Sequence, residues 1–129
     1  MFEQLLGKHL VSIESDCASG ELEGSTTLIF TLSSGEQYQM WHRQDCCEDV
    51  YVESIVGDIN DVLGSAITMA EVVTSNEDMP GTEYLCEPGD SFTWTFYKLG
   101  TCKGSVTIRW YGTSNGYYSE EVDFELMES

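Results

Sequence analysis

The run Trp41-His42-Arg43-Gln44-Asp45-Cys46-Cys47-Glu48 gathers one imidazole, two thiols and two carboxylates within eight residues. Sulfur, nitrogen and carboxylate together form the ligand set of a transition metal, and zinc is the ion that suits it. Spacing limits the idea. In an extended chain Cys46 and Cys47 point to opposite sides. If the segment coils, His42 and Cys46 meet at i, i+4 with Asp45 beside them. A site built on His42, Asp45, Cys46, Cys47 and Glu48 would still need a ligand from His9, Cys86 or Cys102. No Cys-x-x-Cys pair is present, so no cofactor is expected, with zinc as the exception to test. The same residues also permit a Cys–His nucleophile oriented by Asp45. Asp45, Glu48 and Asp49 oppose it, because nearby negative charge suppresses the thiolate. The blander reading makes His42 a hydrogen-bonded core residue and one cysteine a small buried hydrophobe.

A second constellation is aromatic and polar. Arg109, Trp110, Tyr111, Ser114, Asn115, Tyr117 and Tyr118 surround one turn, with Trp94 and Tyr97 on the preceding strand and Trp41 in the first cluster. Such side chains suit a planar ligand or a protein partner. Trp94, Trp110 and Tyr118 are candidates for the core. Tyr111 and Tyr117 fall on the faces of Arg109 and of Glu121, Asp123 and Glu125, and are expected to be exposed contact residues.

The elements that must position these groups read as strands. Leu28, Phe30 and Leu32 alternate with Thr27, Ile29 and Thr31; after Ser33-Ser34-Gly35-Glu36, Tyr38, Met40 and His42 share one face of the next strand. Further strands are expected over 9–14, 50–56 and 66–74, with a short helix over 58–64 between Asp58 and Gly64. Residues 75–90 form the longest loop. Phe92, Trp94 and Phe96 alternate with Thr93, Thr95 and Tyr97; Val106, Ile108 and Trp110 alternate with Thr107, Arg109 and Tyr111. Asn115-Gly116 favours a tight turn into a strand over 117–126, completing a three-stranded meander. The expectation is a single domain over residues 1–129. It is mainly β, with an antiparallel sheet curled into a small barrel or sandwich and one or two short helices; α+β is the fallback. No Gly-rich phosphate loop supports a βαβ nucleotide fold.

The segments Trp41 to Tyr51, Thr93 to Lys98 and Arg109 to Tyr118 resemble a family of small, uncharacterised proteins of bacteriophages and prophages. The likeness runs from about Gly35 to Phe124 and carries no assigned activity. It implies a viral accessory protein acting in the cytoplasm of a bacterial host.

Charge narrows the partners. Five Lys and Arg oppose 23 Asp and Glu in 129 residues, a formal net charge of −18. Direct nucleic-acid binding and docking on anionic membranes both need basic residues, so neither is expected. Residues 1–64 hold 12 acids and 2 bases, and residues 65–129 hold 11 acids and 3 bases, so the acidity is dispersed. Glu77, Asp78, Glu120, Glu121, Asp123 and Glu125 are expected on an acidic surface. Without a leader-like apolar run the five cysteines read as free thiols of a reducing cytosol. The function expected is that of a phage-encoded acidic interaction protein. Its partner would be a host bacterial protein with a basic surface, and it would inhibit a defence or nucleic-acid-processing protein by mimicking nucleic acid. The alternative is a small-ligand, nucleotide-binding or metal-assisted protein centred on the His42 cluster.

Overall fold

The computed structural model describes residues 2–15, 21–44, 47–76, 90–116 and 118–127. Eight strands form two antiparallel sheets: β1 (Leu10–Ser15), β2 (Thr27–Leu32), β3 (Gln37–Trp41), β4 (Asp49–Val56), β5 (Met69–Ser75), β6 (Ser91–Thr101), β7 (Gly104–Ser114) and β8 (Asp123–Leu126). The first sheet runs β1-β2-β3-β8 and the second β4-β7-β6-β5. The sheets face each other as a sandwich and do not close into a barrel. The helical content described is two 3-10 turns, Phe2–Leu5 and Ile59–Val62. Asp58 caps the second, as its sequence position implies, by accepting from the Asn60 N–H at 3.0 Å.

Alternation places the core. Leu28, Phe30, Leu32, Tyr38 and Met40 point inward from the first sheet; Val50, Val52, Val106, Ile108, Trp110, Tyr97 and Leu99 meet them from the second. Phe2 joins the two layers, its ring 4.8 Å from Tyr97 and 5.1 Å from Phe124. The indole N–H of Trp110 points across the core to the Met40 sulfur at 3.0 Å. Burying these side chains provides the main driving force for joining the sheets, at about 25 cal/mol per Å² of apolar surface.

Two expectations change. The C-terminal strand is short and pairs with β3, in register Met40 opposite Phe124, rather than with β7. The expected meander is therefore a β6-β7 hairpin followed by a crossing to the other sheet. Gly116 does take positive φ, +92°, in the expected turn. The turn signal fixes a reversal, but it does not decide which sheet receives the returning chain. The second change concerns Phe92, Trp94 and Phe96, which lie on the outer face of the second sheet, while Thr95, Tyr97 and Leu99 face the core. Trp94 is fully buried there under its neighbours, with Tyr111 at 4.7 Å and Phe96 at 5.9 Å. This sheet therefore buries aromatic surface on both faces, a pattern that alternation alone reads as one face in and one face out.

Candidate functional site

His42 continues the inward face of β3 one step beyond the strand, and there it meets Glu48 at the start of β4. Both are buried, at 7% and 1% exposure. His42 Nδ1 lies 2.6 Å from the Glu121 carbonyl oxygen, and Nε2 lies 2.8 Å from Glu48 Oε2. A carbonyl can only accept, so Nδ1 carries a hydrogen and donates. A further proton then lies between Nε2 and the carboxylate. Gln44 completes the group by donating to the Glu48 carbonyl at 2.5 Å and to Oε1 at 3.1 Å. A cavity of about 320 Å³ opens beside the pair, lined by His42, Arg43, Gln44, Glu48, Ser119, Glu121 and Asp123. Arg43 reaches back over the Trp41 ring, 5.1 Å from its centroid.

The chain over 118–122 crosses between the sheets and is fastened alternately to each. Glu120 turns onto the second sheet, where its carboxylate accepts from Ser91 at 2.5 Å, Thr93 at 2.8 Å and Ser114 at 2.6 Å. Glu121 gives its carbonyl to His42 in the opposite direction. Val122 gives its carbonyl to the Tyr97 hydroxyl at 3.1 Å. Burial pushes the Tyr97 phenol well above the ordinary tyrosine range, and the Asp123 charge adds to this. Gly112 makes room for the crossing, since a Cβ there would stand 3.0 Å from both the Glu120 Cβ and its carbonyl oxygen.

Residues 3–124, which include β1 to β7, the crossing and the first two residues of β8, match the domain of unknown function DUF7448. The chain belongs to the DUF7448 family. No curated protein and no solved structure matches it.

Within this DUF7448 fold the two constellations read from the sequence are rearranged. Of the first, His42 and Glu48 come together, while Asp45 and Cys46 lie outside the described residues. Cys47 is disulfide-bonded, with its partner cysteine also outside them, and Cys102 is free and exposed. The expectation of free thiols fails at Cys47. Cysteine count speaks to compartment, whereas pairing depends on which sulfurs the fold brings within bonding distance. An oxidised Cys47 is neither a nucleophile nor a metal ligand. Both His42 nitrogens are engaged by protein groups, and among the described residues no group of three His, Cys, Asp or Glu is arranged to hold an ion.

Of the second constellation, Tyr111 is buried, contrary to expectation, 2% exposed against Trp94, Phe92 and Tyr51. It shares a face with Arg109 as expected, but that face is itself packed. Ser114 is buried too, and serves Glu120 rather than a partner. Arg109 is half-buried, its guanidinium 4.9 Å from the Trp94 ring centroid and 3.9 Å from Glu53. Asn115 is exposed, Tyr118 is half-buried, and Tyr117 lies outside the described residues. Trp41 is half-buried on the outer face of the first sheet, donating to Glu125 at 3.1 Å alongside Gln39 at 2.7 Å.

The expected acidic surface divides. Glu121 and Asp123 are exposed; Glu120 and Glu125 are half-buried and hydrogen-bonded; Glu77 and Asp78 lie outside the described residues. What sequence reasoning missed is the hydroxyl cradle of Ser91, Thr93 and Ser114 around Glu120. Alternate hydroxyls at Ser91 and Thr93 were its one visible signal.

Proposed function

We propose that this protein is a small acidic interaction protein, encoded by a bacteriophage. It would occupy the basic surface of a bacterial defence or nucleic-acid-processing protein in the host cytoplasm and inhibit it. The observation that carries the reading is the net charge of −18 together with exposed carboxylates that the described residues carry on both sheets rather than in a tail. Exposed carboxylates stand on both sheets and the connections between them, among them Glu14, Glu23, Asp49, Glu71, Glu121 and Asp123. Such a body attracts basic clefts, steers their approach, and sets carboxylates at fixed spacings where phosphates would sit. The His42 cavity favours the alternative of a metal-assisted site less, because its imidazole is already spent on Glu48 and Glu121.

The test is affinity capture from bacterial lysate with the tagged protein, washed at about 0.05 M and then about 0.5 M salt, where screening shortens to a few ångströms. The expected result is a basic host protein retained at low salt and released at high salt, with weaker retention by Asp49→Asn, Glu121→Gln, Asp123→Asn combined. Retention that ignores both salt and neutralisation overturns the reading.

A further inference from the structure

Four strands end the two sheets, and three of them are guarded. β1 shifts register between Leu10 and Ser12, β4 shifts between Val52 and Ser54, and β8 has four residues. Bulges and short lengths are the usual means of keeping an edge from pairing with another chain. β5 has neither. Its seven residues pair with β6 in unbroken register from Met69–Gly100 to Ser75–Trp94, with no proline and no basic residue. Among the described residues no strand pairs its other edge.

Exposure singles out the same stretch. Glu71, Val72, Val73 and Thr74 are all exposed in succession, so both faces of the strand are open, and the two valines are 46% and 41% accessible. On the inner side a cavity of about 250 Å³ runs between this edge and the crossing segment. Val72, Thr74, Thr95, Tyr97, Glu121 and Val122 all border it. Glu121 also borders the His42 cavity, and no described group ties down its carboxylate.

We propose that the open edge of β5 receives an extended segment of a basic partner as a fifth strand of the second sheet. One small apolar side chain of that segment enters the cavity beside Val72 and Val122, and the next inward residue, a lysine or arginine, meets Glu121. The period of two along a strand puts these side chains on the same inner face, while the backbone bonds to β5 set the register. Charge selects this occupant over a second copy of the chain, because two bodies of −18 repel as they approach. The inference rests on the acidic-interaction reading and adds where and how the partner binds.

The probe is a fluorescein-labelled heptapeptide with valine at its third position, lysine at its fifth and threonine elsewhere, so that valine and lysine share one face, titrated into the full-length protein by anisotropy, with amide hydrogen exchange on the complex. A peptide with glutamate for lysine is the control. Binding is expected for the lysine peptide alone, with slowed exchange confined to residues 71–75 and β6. Val72→Glu is the decisive variant: it adds negative charge yet blocks the cavity, so affinity should fall about tenfold. Its circular dichroism and melting should match the parent, since Val72 is exposed. Glu121→Gln should weaken binding less and flatten its salt dependence. Unchanged or tighter binding by Val72→Glu overturns strand addition while leaving the acidic-surface reading intact, as does failure of the lysine peptide to bind. Equal binding of the glutamate peptide, still lost in Val72→Glu, overturns the charge reading and keeps the strand site. A concentration-dependent dimer in sedimentation with residues 71–75 already protected assigns the edge to a second copy instead.

Discussion

His42 and Glu48 exclude water from each other, and that determines what their removal does. A buried pair yields little net stability over an apolar pair, but one partner left alone retains an uncompensated polar group. Glu48→Ala should therefore lower stability by about 3 kcal/mol in urea denaturation, and His42→Ala/Glu48→Ala should cost less than the two single changes combined. Additive losses would mean that the two groups act independently despite the 2.8 Å contact. Tyr97 carries a pH dependence with a definite sign. Its phenol holds its proton longer in the folded chain than in the unfolded one. The stability this contributes is complete below the unfolded value of about 10 and is lost as pH rises above it. Tyr97→Phe should cost about 1 kcal/mol at neutral pH, through the unpaired Val122 carbonyl, and that difference should shrink in urea midpoints taken toward pH 11. The reactive residues themselves were legible in sequence, His42 down to its inward face on β3. Their role was not, because the atom that occupies Nδ1 belongs to Glu121, 79 residues away.

At the scale of elements, strands were legible wherever apolar residues alternate. Their partners were less so where polar side chains do the fastening. The segment over 118–122 shows why. Read alone, it continues a hairpin from Asn115-Gly116; in the fold, three hydroxyls of the second sheet hold Glu120 while the Glu121 carbonyl accepts from His42 at the end of β3, so the chain passes over to the first sheet. Trp94 and Tyr111 were displaced in reading for a related reason: alternation gives two faces, but it does not say whether the outer one is packed. Gly112 tests the crossing as a unit. Gly112→Ala places a methyl 3.0 Å from the Glu120 backbone oxygen and 3.2 Å from Val50 Cγ2, neither of which moves without shifting a strand or the crossing. A loss of about 1–3 kcal/mol is expected, of the size seen when a packed site is overfilled, together with faster amide exchange at residues 118–123. Wild-type stability would show that the crossing yields freely and does not depend on this approach.

For the whole molecule the charge, apparent from composition alone, becomes a property of a surface once the sandwich fixes where its carboxylates stand. Among the described residues some are offset locally: Lys8 lies 3.3 Å from Glu36 and lowers its carboxyl affinity for protons, and Arg109 sits 3.9 Å from Glu53. The remainder repel one another across a body of 14.4 kDa, and this repulsion opposes the compact state because unfolding lets the charges separate. Salt should relieve it. Between about 0.01 M and 0.15 M sodium chloride the screening length falls from about 30 Å, close to the diameter of a domain this long, to about 8 Å, a fraction of it. A relief of about 1 kcal/mol corresponds to a rise of about 4 °C in melting temperature for a domain of this size. Calorimetry across that range should show such a rise and then a plateau, since further salt screens distances already screened. A melting temperature that stays flat or falls would mean that the carboxylates are compensated where they stand. The long-range field proposed to draw a basic partner would then be absent, whatever the formal charge.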